Sequence, residues 1–530
     1  MTDQTFDYIV VGAGSAGAVV ANRLVKAGKK TLLVEAGPAD LHPMIHMPGG
    51  AQEVIKSKKL NWFLDSEPQE HLNNRRMMQH RGKMLGGSSN INGMVAIRGN
   101  KADYDQWASL GNDGWDYQSV LTNFKNIENW CDTDNAYHSS KGDLPINKTL
   151  GENPLFETFI EAGLELGYAP NDDFNGETQY GVGRYHANIK DGQRWGTSRT
   201  FVTPLKGNPN FTIETNMLVE KVLIEGNCAV GIQCSRKGKS FTFKANHEVV
   251  LSGGAFNSPQ LLMLSGIGPK QKLDPLGIDV VKDLPGVGEN LQDHLSFLFN
   301  YGCKEPITIN GPATNPIKQV GIALNYFIFK RGLGAVNSIE SGAFMNSHEG
   351  LDAPDIQLHF VPTLMYNLTD DLPKEHGVSV RACNLTPHSR GYVDIVSADP
   401  KAKPRIDFRF LSDERDIPPL LEAYKIVQKW MQANAWNGLM TEEKKGAMAA
   451  KTDEERMEFV REYIETDYHP VGTCKMGNDD QAVVDAQLKV HGIEGLRVAD
   501  ASIMPTIVRG NTNIPCMMIG DKCAELILAS

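Results

Sequence analysis

The chain has 530 residues, with 53 Lys and Arg against 64 Asp and Glu; the formal net charge of −11 argues against a nucleic-acid partner, which would want a basic face. A hydrophobic fraction of 41% and a charged fraction of 22% are ordinary for a globular protein, and the length allows two domains or one large body with insertions. No apolar run reaches the length of a membrane span, and eight cysteines without a Cys-x-x-Cys pair read as buried thiols of a reducing compartment.

The first strand is expected over Phe6–Val11, so early that it leaves no room for a signal peptide. It enters Gly12-Ala13-Gly14-Ser15-Ala16-Gly17, a helical pattern follows through Leu24, and a second apolar run, Thr31–Val34, ends in Glu35-Ala36. Within this strand–helix–strand unit Gly12 permits the tight turn and Gly14 lets the backbone approach a pyrophosphate. Gly17 lets helix and strand pack closely, while Ser15 and Ala16 sit at a helix N-terminus whose free N–H groups suit phosphate. Glu35 is placed to accept hydrogen bonds from a ribose diol. The fingerprint specifies a dinucleotide and leaves NAD and FAD open.

Gly86-Gly87-Ser88-Ser89 is a small-residue turn able to present N–H and hydroxyl groups to phosphate. Phe211–Glu214, Val219–Ile224 and Glu248–Ala255 read as further sheet strands, the last entering a Gly-rich turn and a helix, Pro259–Leu264. Between 295 and 460 the runs Asp355–Phe360 and Gly391–Val396 alternate, which predicts antiparallel strands with one covered face, and Glu414–Asn434 reads as a helix. Leu496–Asp500 is a strand ending in an acid, and a helix is expected from Pro515 to Leu528. The chain thus leaves the nucleotide-binding body, builds a cap and returns. Residues 1–155, 195–294 and 461–530 form the first body, and 156–194 with 295–460 the second.

Four segments carry a family resemblance: Arg81–Gly93, Gly254–Gly268, Pro285–His294, and His469-Pro470-Val471-Gly472-Thr473 with Asn511–Pro515 downstream. Over nearly its whole length the chain resembles the glucose–methanol–choline flavoprotein oxidoreductases, and most of all their choline-dehydrogenase-like and primary-alcohol dehydrogenase branch. The resemblance implies FAD rather than NAD. It implies an α/β, Rossmann-like FAD-binding domain under an α+β substrate-binding cap built on an antiparallel sheet. Gly86 and Ser88 would lie beside the pyrophosphate, and Asn92 and Gly93 near the reactive edge of the flavin. Ile91 stands where some relatives carry a histidine linked to flavin, so FAD is expected to be noncovalent. Val219 would meet adenine through its backbone, Asp500 and Ala501 the pyrophosphate and ribityl chain, and Thr512 and Asn513 the flavin pyrimidine ring.

His469 is the expected catalytic base: alcohol oxidation removes a hydroxyl proton along with a hydride, and a neutral imidazole suits the proton. Asn511 aligns with the second catalytic position and would position the alcohol oxygen. Asp467 and Tyr468 are expected to line the substrate pocket, and Glu340 aligns with a pocket carboxylate of choline-oxidising relatives. His138, His294 and His359 read as structural, and no metal site is expected. The expected function is FAD-dependent oxidation of a primary alcohol to the aldehyde. Choline oxidation is one alternative and a non-redox FAD-containing lyase another; the Cys–Arg pair of light-driven decarboxylases is missing at Leu385 and Thr386. Oxygen or a quinone remains open as electron acceptor, as do the alcohol and the oligomeric state. Cytoplasmic residence is expected, with peripheral membrane contact left open.

Overall fold

The computed structural model describes residues 4–149 and 151–530. The strand Gln4–Val11 lies at the centre of a seven-stranded sheet, parallel to Thr31–Val34 on one side and Lys239–Leu251 on the other. Phe211–Glu214 extends it parallel beyond Thr31–Val34, and Leu496–Val498 pairs parallel with the end of Lys239–Leu251. Cys228–Arg236 and Leu218–Glu225 continue it as an antiparallel meander. The register aligns Val11 with Val34 and with Leu251, and Leu251 with Val498. The parallel strands therefore stop at one level, and every turn that follows them opens on the same crevice. That edge is where an open parallel sheet binds ligands.

The helix Ser15–Lys26 packs on the C-terminal helix Asn513–Ala529, tied by Arg23 Nε to Asp521 Oδ1 at 2.6 Å. That last helix starts two residues before the expected Pro515, whose missing N–H costs nothing in a first turn. The helix expected from Pro259 begins instead at Gly254 and carries Pro259 inside it. A mid-helix proline strands the carbonyl four residues back. Here that carbonyl is Ala255 O, and Thr473 Oγ1 donates to it at 2.6 Å.

A second sheet is antiparallel throughout, ordered Met440–Glu443, Leu295–Cys303, Gly377–Asn384, Ile356–Val361, Ser341–Met345, Gly181–Arg184, with Glu465–Thr466 also on Leu295–Cys303. Gly391–Val396 supplies only Tyr392–Asp394, which pairs with Arg405–Asp407 outside this sheet. The helical reading of 414–434 holds for Ile417–Trp430, entered by a short 3-10 turn, Glu414–Asp416. The expectation of one covered face is corrected at Ile356–Phe360, where every residue is buried. Ile356, Leu358 and Phe360 join a core with Phe159, Tyr424 and Trp430. The intervening Gln357 and His359 turn to the other face, toward the crevice between the sheets.

Candidate functional site

One cavity of about 1490 Å³ runs from the ends of the parallel strands to the second sheet. It exceeds the roughly 300–1,000 Å³ of common ligand sites, leaving room for an extended dinucleotide and a small substrate. Gly12, Gly14, Ser15, Ala16, Glu35, Ala36, Ser88, Asn92, Gly93, Val219, Asp500, Ala501, Thr512 and Asn513 all line it. Gly17 and Gly86 are not among its lining residues. A Cβ on Gly17 would stand 2.0 Å from Gly12 O, so this glycine serves helix–strand approach. Gly86 holds a turn at φ +92° against Asn90.

The cradle fits a dinucleotide. Gly14 caps the first helix, and a Cβ there would meet nothing within 4 Å, so there is open space beside this helix N-terminus, where free N–H groups suit phosphate. Glu35 is buried; its carboxylate accepts from Ala13 N at 3.1 Å and Gly37 N at 2.8 Å and keeps lone pairs for a diol. Burial pushes its pKa up to about 7. Asn513 Oδ1 accepts from Ser15 Oγ at 2.7 Å, while its buried Nδ2 has no partner among the described residues. A buried amide donor on the cavity wall is a site for a ligand acceptor. Asp500 spends its carboxylate on Ser502 N, Gly254 N and Ser258 Oγ, so it shapes the turn. Ile91 lines the wall with an alkyl side chain that cannot bond covalently to flavin.

At the far end His469 and Asn511 meet, Asn511 Nδ2 lying 3.3 Å from His469 Nε2. His294 completes the group: its Nδ1 is 3.0 Å from His469 Nδ1, and its Nε2 is 3.2 Å from Leu385 O. Burial holds His469 down at about 4, against the pull of Asp467. Burial and His469 itself hold His294 at about 3, so both rings are neutral near pH 7. A carbonyl only accepts, so His294 Nε2 carries the hydrogen that faces Leu385 O. Its Nδ1 is then a lone pair, His469 Nδ1 must donate to it, and His469 Nε2 keeps the basic lone pair.

The orientation of Asn511 follows from a second carbonyl. Tyr185 donates its hydroxyl to Leu358 O at 2.8 Å, so its oxygen accepts from Gln357 Nε2 at 3.1 Å. The same Nε2 donates to Asn511 Oδ1 at 3.3 Å, which leaves the Asn511 Nδ2 hydrogens for His469 Nε2 and the cavity. Asp293, the neighbour of His294, fixes the main chain: its Oδ1 accepts from His469 N at 2.8 Å and its Oδ2 from Thr466 Oγ1. Arg81 Nη2 donates to Tyr468 O at 2.6 Å, steadying a residue at φ +62°.

Asp467 and Tyr468 line the cavity, but Asp467 is not a free charge. Arg381 Nη1 lies 2.5 Å from its Oδ1, and although burial opposes ionisation, Arg381 and His469 hold the acid well below the usual carboxylate range. Glu340 is corrected more fully. It is buried away from the cavity wall, with Oε2 accepting from Gly151 N at 2.6 Å and facing Arg184 Nη1 at 3.2 Å. The structural reading of His294 and His359 is corrected too, since one bonds His469 and the other lines the cavity. The signal for His294 lay in Asp293-His294 directly before a long strand, but nothing local said which residue it would meet. His138 sits elsewhere, buried between Glu128 and Asp173. Among the described residues no group of three His, Cys, Asp or Glu side chains could hold a metal ion.

Comparisons with known proteins show the family and the fold. Family models described as GMC oxidoreductase match residues 6–296 and 387–520. The chain is 41% identical to an oxygen-dependent choline dehydrogenase of Vibrio vulnificus, covering 99% of this chain and 94% of that one. It is 42% identical to an alcohol dehydrogenase [acceptor] of Pseudomonas putida, covering 99% and 96%. Among solved structures it resembles pyridoxine 4-oxidase from Mesorbium loti, with TM-score 0.90, 28% identity and 99% of each chain covered. It also resembles an Aspergillus oryzae formate oxidase solved in a study of its FAD modification, with TM-score 0.93, 28% identity, and 100% and 99% covered.

Proposed function

The chain belongs to the GMC oxidoreductase family, and from that membership we propose that it oxidises a primary alcohol to the aldehyde, with His469 as the base. The cofactor is FAD, and Gly14, Ser15, Glu35, Ser88, Asn92, Asp500 and Asn513 would hold it. Bound FAD supplies the acceptor for the hydride that leaves the alcohol carbon. The proton is left to the protein. His469 Nε2 offers the only lone pair of the His294–His469 pair that faces the cavity, and it takes the hydroxyl proton. Asn511 Nδ2 donates to the alcohol oxygen and steadies the charge that grows there as the proton departs. His294 is a positioning residue: it fixes the His469 ring and accepts from its Nδ1–H as the imidazolium forms.

The observation that carries this reading is the hydrogen-bonded chain from Leu385 O through His294 and His469 to Asn511. The pairing of Asp467 with Arg381, and of Glu340 with Arg184, favours an uncharged alcohol over choline, because neither acid offers unpaired charge to a cation. Choline keeps support from the names of the relatives. Anaerobic mixing with choline and with aliphatic, aromatic and furanic alcohols decides the matter: an alcohol substrate bleaches the flavin absorbance. A lyase would consume its substrate without bleaching.

We take residues 1–155, 195–294 and 461–530 as the cofactor domain and 156–194 with 295–460 as the cap. Glu465–Thr466 is lent to the cap sheet. We place the enzyme in the cytoplasm, since all eight of its cysteines are free thiols. Oxygen or a quinone accepts the electrons; turnover with oxygen against that with a quinone dye separates the two.

A further inference from the structure

The helix Pro316–Phe329 presents apolar residues to water. Ile317, Val320, Leu324 and Ile328 are 84%, 60%, 56% and 63% exposed, and Phe329 at its end is 65% exposed. The first four are spaced three, four and four residues apart, so they form one stripe along one face. The opposite face is committed to the protein. Tyr326 is buried and donates to His46 O at 2.8 Å, and Gln319, Ile322 and Ala323 line the cavity. The helix cannot roll its outer stripe inward without losing these contacts.

Along the chain, the charge flanking the stripe runs against the net charge of the whole. From Glu305 to Glu340 the sequence has no Asp or Glu between, yet it carries Lys318, Lys330 and Arg331. Lys318 and Arg331 are exposed at opposite ends of the helix. In a chain of net charge −11, an acid-free apolar stripe bracketed by cations complements an anionic surface with an apolar interior. Among the described residues no helix is long and apolar enough to cross a membrane, whereas a helix of this pattern can lie in its interface.

We propose that the outward face of Pro316–Phe329 docks on an anionic lipid surface. Ile317, Val320, Leu324 and Ile328 enter the acyl boundary and the exposed Lys318 and Arg331 meet the headgroups. Because the inner face of the same helix lines the cavity, docking sets the wall of the substrate cavity against the membrane.

Co-sedimentation of the full-length, FAD-loaded protein with vesicles tests this without reference to turnover, so it stands or falls apart from the assigned reaction. Vesicles of phosphatidylcholine and phosphatidylglycerol should bind the protein, those of phosphatidylcholine alone should bind less, and salt should weaken binding. Leu324→Gln with Ile328→Gln should weaken partitioning at least about tenfold while oxidation of a water-soluble alcohol is unchanged. Each of Lys318→Gln and Arg331→Gln should cost about fivefold on the anionic vesicles. Wild-type protein that stays in the supernatant, or glutamine variants that sediment like wild type, would overturn the proposal. So would a dimer that the Leu324→Gln, Ile328→Gln variant converts to monomer without any vesicle binding, which would make a second copy the occupant.

Discussion

His294 Nδ1 lies 3.0 Å from His469 Nδ1, and that contact decides which nitrogen of His469 is basic. The decision is made one step further back, at Leu385 O, which forces the His294 Nε2 hydrogen toward itself. A backbone carbonyl on the cap side thus sets the proton inventory of a side chain facing the cofactor crevice.

Removing His294 should therefore cost rate without costing cofactor. His294→Ala leaves the His469 Nδ1–H unpaired and the ring free to turn, and the rate of flavin bleaching should fall about tenfold to a hundredfold at unchanged FAD content. His294→Gln, whose carbonyl can accept from Nδ1–H, should recover part of the loss. A purely packing role predicts no such recovery.

The pH profile should show His469 directly. Its folded value of about 4 lies below the ordinary 6.5, so the base is already neutral at pH 6. kcat/KM should be flat in that range and fall only as pH drops toward about 4. Asn511→Asp puts a carboxylate beside Nε2, favours the protonated ring, and should move the acid limb up in pH. Asn511→Ala keeps the limb in place and should lower the bleaching rate about a hundredfold, the usual cost of one lost oxyanion donor.

The glycines of the first turn should separate into two kinds. Gly14 has ordinary backbone at φ −78° and open space at its Cβ, so Gly14→Ala should fold with a nearly unchanged melting temperature of the flavin-free protein yet bind little FAD. Gly12 sits at φ +100° with Ser252 O 2.4 Å from any Cβ, so Gly12→Ala should lose about 1–3 kcal/mol of stability as well. Flavin absorbance per protein and thermal melting, measured on both variants, check the split.

Glu340→Ala should leave substrate preference alone. Its carboxylate serves Gly151 N and Arg184, so the variant should lose about 1–3 kcal/mol of stability with the ratio of choline to uncharged-alcohol turnover unchanged. A selective loss of choline turnover would return Glu340 to the pocket.

The first turn was legible because its chemistry is local: Gly12, Gly14, Gly17 and Glu35 act within one strand–helix–strand unit. Local sequence misplaces a helix start where a distant group changes the rule. Pro259 marks a first turn only if Ala255 O has no other donor, and Thr473, which supplies one, is far along the chain. The alternation at Asp355–Phe360 was legible, its meaning was not. Polar residues on every second position signal water on that face, but here Gln357 and His359 face the site. His294 and Glu340 exchanged roles for the same reason: which acid or imidazole reaches a cavity is settled by pairing between strands remote in sequence.

The most direct measurement of the central claim is rapid anaerobic mixing of His469→Ala, verified to carry FAD, with the best alcohol of the panel. The account predicts that flavin bleaching slows by at least about a hundredfold, the usual lower bound for a lost general base. Bleaching at the wild-type rate would contradict it and remove His469 Nε2 from the reaction.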